Sequence, residues 1–95
     1  MKSAYVIGNI TILDPDKWLE YCSKVPVTLI PWEGNLVFRG KQDKVLGGQY
    51  QHSDAVVIQF PSIEALNGWF NSGEYQALIS LRKQAAKIDL VSYQS

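Results

Sequence analysis

The sequence predicts an α+β domain of four strands and two helical segments in the order βαββαβ. Three observations carry that prediction. Four runs rich in β-branched and aromatic residues are spaced along the chain, at 4–12, 35–40, 55–60 and 88–93. Between the first and second runs, and again between the third and fourth, apolar residues recur at helical rather than alternating spacing. Each helical segment opens on a capping signal, Asp14 followed by Pro15 in one case and Ser62 after Pro61 in the other.

The first strand is read over 4–12, ending before Asp14-Pro15. Asp14 can accept from free backbone N–H groups, and a proline at the first helical position gives up no internal bond. Asp16 adds negative charge where the helix dipole favours it. Trp18, Tyr21, Cys22 and Val25 form the core-facing stripe of this helix. Pro26 is expected to break or kink it, because proline removes a donor and crowds the preceding turn. A second helical piece through Thr28, Leu29 and Ile30 is expected to end near Pro31 to Gly34.

Strand two is read from Asn35 to Gly40, with a continuation at Lys44-Val45-Leu46 before the Gly47-Gly48 break. Strand three runs from Ala55 to Phe60 and is stopped by Pro61. The following helix is capped by Ser62, carries Glu64 in its first turn, and places Ile63, Leu66, Trp69 and Phe70 on one face. Ser72-Gly73 interrupts it and caps a last helix with the stripe Tyr75, Leu78, Ile79 and Arg82. Ile88 to Tyr93 closes the chain as strand four. A four-stranded antiparallel sheet in this order, with its helices on one face, is the ferredoxin-like plait.

The strand alternation bears on assembly. Strand one sets Ala4, Val6, Gly8, Ile10 and Ile12 against Tyr5, Ile7, Asn9 and Thr11. In strands three and four the second sets are Ala55, Val57, Gln59 and Asp89, Val91, Tyr93. A face that mixes apolar and polar groups suits burial against another sheet, so a homodimer packed sheet to sheet is expected.

The chain of 95 residues fits one domain over 1–95, and its 46% apolar and 12% aromatic residues suffice for a packed core. Nine basic and nine acidic residues balance, which leaves no broad electrostatic footprint for nucleic acid or an anionic membrane. Cys22 is the only cysteine, so no intrachain disulfide or thiolate metal cluster can form, and no metal is expected. The N-terminus, Met1 to Ile7, enters a strand-like run without a secretory pattern, and no apolar run approaches the ~18 residues a membrane span needs. A cytoplasmic protein without a cofactor is the expectation.

Several segments carry a family resemblance. They are Tyr5-Val6-Ile7, Tyr21 through Lys24-Val25-Pro26, Phe38-Arg39-Gly40, Val56 through Phe60-Pro61-Ser62, and Trp69-Phe70-Asn71-Ser72-Gly73-Glu74-Tyr75-Gln76 followed by Arg82. In these the chain resembles the domain-of-unknown-function family numbered 1330, within the dimeric α/β-barrel superfamily. The resemblance implies a ferredoxin-like protomer that dimerises through its sheets into a barrel. It implies a candidate pocket but no reaction, because the family has no settled activity. Two positions depart from the pattern: Gly73 stands where the family usually has proline, and Lys41 where it more often has a second glycine.

Candidate ligand-binding residues follow from chemistry. Arg39 sits late in strand two, opposite in facing to Phe38, and its planar fork could clamp a carboxylate or enolate oxygen. The structural alternative is an ion pair or a solvated strand-edge arginine. His52, the sole histidine, could serve proton transfer, although Gln51-His52-Ser53-Asp54 also reads as a solvated polar turn. Trp69, Phe70 and Tyr75 bracket the Ser72-Gly73 break and could line a pocket, or simply fill the core. A buried Tyr75 hydroxyl would need a partner. Arg82 lies two helical turns further along the same face and could point toward the pocket region or pair with an acid. Tyr5 and Asn9 complete the set as polar groups on strand one. Cys22 has no local motif that would activate it.

No Walker loop, Gly-x-Gly-x-x-Gly turn or Gly-x-Ser-x-Gly elbow is present. Two functional readings remain. In the first, the cleft between sheet and helices binds a small organic acid or aromatic, with cofactor-free proton transfer as its chemical form. In the second, the chain is a non-catalytic dimeric structural or sensory module whose aromatics fill that cleft.

Overall fold

The structure is a computed structural model that describes residues 3–95; Met1 and Lys2 of the N-terminal stretch lie outside the described residues. The elements are β1 (Ala4–Ile12), α1 (Pro15–Leu29), a 3-10 turn (Ile30–Trp32), β2 (Asn35–Lys41), β3 (Asp54–Phe60), α2 (Ile63–Asn71), α3 (Gly73–Gln76), α4 (Ile79–Ala85) and β4 (Ala86–Gln94). The strands form one antiparallel sheet in the order β2-β3-β1-β4. This is the ferredoxin-like plait.

Local chemistry sets the element starts as expected. Asp14 Oδ1 accepts from the N–H groups of Asp16 and Lys17, and Ser62 Oγ accepts from Ala65 N–H. Ser72 serves twice: it ends α2, and its Oγ accepts from Tyr75 N–H to open α3.

Three expectations are corrected. Pro26 neither breaks nor ends the first helix, which runs on to Leu29. Tyr21, Val25, Thr28 and Leu29 are buried on both sides of the proline, so packing holds the helix where the local hydrogen bond is missing. Lys44 to Leu46 is not a strand. Lys41 and Asp54 close the β2–β3 ladder, and residues 50–53 turn back onto the sheet, which leaves 44–46 no strand to pair with. The last helix is two pieces, α3 and α4, joined by a tight turn in which Leu78 N–H bonds Tyr75 C=O.

The core lies between the sheet and the helices. Ala4, Val6, Ile10, Val56, Ile58 and Phe60 face the helices from β1 and β3, as the alternation requires. Among the described residues the other face carries no helix, and the loop before β3 crosses only part of it. Phe38, Val57, Ile7 and Val91 stand in direct register across β2, β3, β1 and β4, an apolar row spanning the whole sheet. Phe38 and Val91 are 53% and 43% exposed.

A bulge in β2 decides which of its residues meet the core. Leu36 pairs with Ile58 and Phe38 with Val57, so Val37 is the extra residue. Beyond it the facing inverts. Leu36 and Arg39 therefore share the helix-covered face, while Phe38 joins the open row.

Candidate functional site

A cleft of about 190 Å³ opens between α1 and the helix-covered face of the sheet. The residues that define it are Trp18, Tyr21, Cys22, Leu36, Arg39 and Trp69. Helix α1 supplies the first three from one face, at the helical spacing of i, i+3 and i+4. Arg39 arrives from β2 because of the bulge at Val37. Its side chain is exposed, and it has no hydrogen-bond or ion-pair partner among the described residues. The cleft thus pairs apolar walls with one free, always charged, planar donor.

A dry apolar cavity of about 150 Å³ is enough to hold benzene. The cleft therefore matches a single ring or a short-chain molecule. Among its lining side chains there is no carboxylate and no imidazole.

The floor beneath it is a bonded aromatic cluster. Trp69 is 1% exposed and Tyr75 is fully buried, with ring centroids 4.2 Å apart. Trp69 Nε1 donates to Thr28 Oγ1 at 3.0 Å, and the Thr28 hydroxyl donates to Val25 C=O. Tyr75 Oη lies 2.8 Å from Tyr21 Oη and accepts from Arg82 Nη1 at 2.8 Å. Arg82 thus bonds a phenol rather than an acid, with its guanidinium 6.0 Å from the Tyr75 ring centre. Phe70 packs beside Tyr75 and is only partly buried.

The remaining candidates lie elsewhere. Tyr5 and Asn9 face the open side of β1, away from Arg39, and Tyr5 Oη accepts from Gln59 Nε2. His52 is on that side too. It is not a solvated turn residue: its side chain is 13% exposed, because the loop before β3 folds back across the sheet. There His52 Nε2 meets Asp89 Oδ2 at 2.7 Å, and Nδ1 meets Thr11 Oγ1 at 3.0 Å. Beside it Tyr50 Oη donates to Asn9 Oδ1 at 2.6 Å. The seven candidates therefore divide: Arg39 and Trp69 line the cleft, Tyr75 and Arg82 lie behind it, and Tyr5, Asn9 and His52 belong to the opposite face. Among the described residues no group of three His, Cys, Asp or Glu side chains could hold a metal ion.

Burial raises the Tyr21 hydroxyl well above the ordinary phenol range, and the neighbouring Tyr75 adds to the shift. Burial also raises the Cys22 thiol, and the positive charge of Arg39 partly offsets this. Both groups stay protonated at neutral pH. Tyr21 and Cys22 were legible in the sequence only as core. The signal that could have singled out Tyr21 is a phenol within an apolar stripe, since a buried hydroxyl needs a partner.

The comparisons with known proteins agree with this architecture. The model of the family described as "Domain of unknown function (DUF1330)" matches residues 3–94. No curated protein matches the chain. A protein of unknown function from Rhodopseudomonas palustris superposes with a TM-score of 0.77 at 16% identity, over 96% of this chain and 80% of that one. A protein from Jannaschia sp. CCS1, described as a dimeric ferredoxin-like protein of unknown function, gives 0.74 at 11% identity, over 96% and 97%. SnoaB from Streptomyces nogalater, described as a cofactor-independent oxygenase, gives 0.68 at 8% identity, over 98% and 92%. At these identities the likeness is one of fold.

Proposed function

The chain belongs to the family described as domain of unknown function DUF1330, and we propose that it binds a small organic acid, single-ringed or short-chained, in the cleft between α1 and the sheet. The observation that carries this reading is the unpartnered Arg39 guanidinium on a cleft whose other walls are largely apolar. A bidentate fork recognises a carboxylate, and the apolar walls take the hydrocarbon body. The volume of about 190 Å³ limits that body to roughly one ring.

The reading is one of binding first. A cofactor-independent oxygenase shares the fold, but fold alone does not carry activity. Proton transfer in this cleft would have to use Cys22 or Tyr21, and burial keeps both protonated. We also propose that the working unit is a homodimer closed through the open sheet face. The row Phe38, Val57, Ile7 and Val91 supports this, and so does the description of a similarly folded protein as dimeric.

The test is a calorimetric titration with benzoate and short-chain carboxylates, comparing wild type with Arg39→Ala. Binding that weakens about tenfold or more on loss of the charged fork is expected. Equal binding by both proteins, or none by wild type at millimolar ligand, would sink the proposal.

A further inference from the structure

We infer that Tyr21 directs its hydroxyl hydrogen into the cleft, so that the ligand carries an acceptor oxygen, such as a ring-attached carbonyl, in addition to its acid group. The inference rests on the proposed binding cleft and deepens it. It follows from counting hydrogens along a buried chain. Arg82 Nη1 donates to Tyr75 Oη, because a guanidinium can only donate. Tyr75 Oη then has one hydrogen to place, and its sole further partner among the described residues is Tyr21 Oη at 2.8 Å. Tyr75 is fully buried, so water offers no alternative acceptor.

The chain therefore runs from Arg82 to Tyr75 to Tyr21. The reverse order would leave the Tyr75 hydrogen without an acceptor in a sealed site, an arrangement that buried polar groups avoid. With Tyr75 donating to it, Tyr21 keeps its own hydrogen unassigned, and no second partner for it exists among the described residues. Tyr21 is also the member of the chain that lines the cleft, whereas Tyr75 and Arg82 do not. Donation along a chain that begins at a cation polarises each following hydroxyl, which strengthens the last donor. Tyr75 and Arg82 are then positioning residues, and Tyr21 is the group that touches ligand.

Arg39 and Tyr21 together specify a two-point pattern across an apolar body. The first takes an anionic oxygen pair, and the second takes a single acceptor. A molecule with a hydrocarbon branch where Tyr21 expects an oxygen would leave that hydroxyl unpaired, and a site built to bond an oxygen discriminates against such an analogue.

A matched pair of probes tests this, 4-acetylbenzoate and 4-isopropylbenzoate, which are alike in shape but differ in the carbonyl oxygen. Calorimetry on wild type should show the acetyl compound bound about three- to tenfold more tightly. In Tyr21→Phe that ratio should fall to about one, while the affinity for the isopropyl compound is unchanged. Tyr75→Phe, which keeps Tyr21 but removes its donor, should give an intermediate ratio and supplies the readout if Tyr21→Phe does not fold. Binding of both probes by wild type with no preference, or a preference that survives both substitutions, overturns the inference and leaves the cleft proposal standing. Failure of wild type to bind either probe removes the cleft proposal itself, and this inference with it.

Discussion

The indole N–H of Trp69 donates to the hydroxyl of Thr28 across 3.0 Å, joining α2 to α1 behind the cleft. Thr28 is buried, 5% exposed, and Trp69 is almost wholly buried. Every polar atom in this contact is satisfied within the protein, because the Thr28 hydroxyl in turn donates to Val25 C=O at 2.6 Å.

Thr28→Val keeps the shape of the side chain but removes the acceptor. Trp69 Nε1 would then be buried without a partner, a loss of about 1–3 kcal/mol. Thr28→Ser retains the oxygen and should lose less. Urea unfolding of the three proteins gives the order, and equal stability of Thr28→Val and wild type would refute the role assigned to this bond.

Gly68 sits in α2 where the Trp32 ring leaves no room for a side chain: an added Cβ would meet the ring itself. Alanine would gain about 0.5–1 kcal/mol of helix propensity but overpack by about 1–3 kcal/mol. A net loss is expected. Gly73→Ala is the control, since its Cβ would meet nothing within 4 Å. Thermal melts should show Gly68→Ala below wild type and Gly73→Ala at or above it.

The Tyr21 hydroxyl predicts a signature at alkaline pH. The unfolded phenol ionises near 10.0, while burial holds the folded one protonated well above that. Above pH 10 the unfolded chain releases a proton that the fold retains, so this stabilisation is complete below pH 10 and declines as pH rises. Tyr21→Phe lacks the effect. The stability difference between wild type and Tyr21→Phe should therefore fall by up to about 1.4 kcal/mol per pH unit beyond 10. Parallel stability curves for the two proteins would rule it out.

Cys22 offers a reporter of the cleft. Its thiol is raised above the ordinary value of 9.0 by burial, so alkylation by iodoacetamide should be slow at pH 7 and rise with a midpoint above 9. A carboxylate ligand bound at Arg39 should slow it further. A fast reaction at neutral pH, or no protection by a ligand that binds calorimetrically, would place Cys22 outside the occupied volume.

Dimerisation through the open face has its own test. Val91 lies at one end of the apolar row and is 43% exposed in the protomer, so Val91→Lys should leave the fold intact. Wild type is expected to show the mass of two chains in light scattering, and Val91→Lys the mass of one. A monomeric wild type at micromolar concentration would defeat the proposal.

Much of the fold was legible because its signals are local. Asp14-Pro15, Ser62 and Ser72 each cap a helix through groups a few residues away. Pro26 misled because the local rule gave way to burial of Tyr21, Val25, Thr28 and Leu29 along the same helix. Among the candidate residues, the two-turn spacing placed Tyr75 and Arg82 on one face but did not show that Arg82 bonds the Tyr75 phenol, at 2.8 Å, in place of an acid. Nothing local could show that the loop holding His52 folds back to Thr11 and Asp89, partners far away in sequence.

The order of elements, the alternation that turns Val6, Ile10, Val56 and Ile58 toward the helices, and the family resemblance are all written along the chain. Periodicity and capping depend on neighbours along the chain, so they survive without coordinates. That Arg39 enters the cleft depends on strand pairing. The bulge at Val37 inverts the facing of β2 beyond Leu36, and a bulge is a property of two paired strands rather than of one. The same holds for the chain from Arg82 through Tyr75 to Tyr21, which exists because the packing of α3 and α4 against α1 brings groups from distant segments within hydrogen-bond reach.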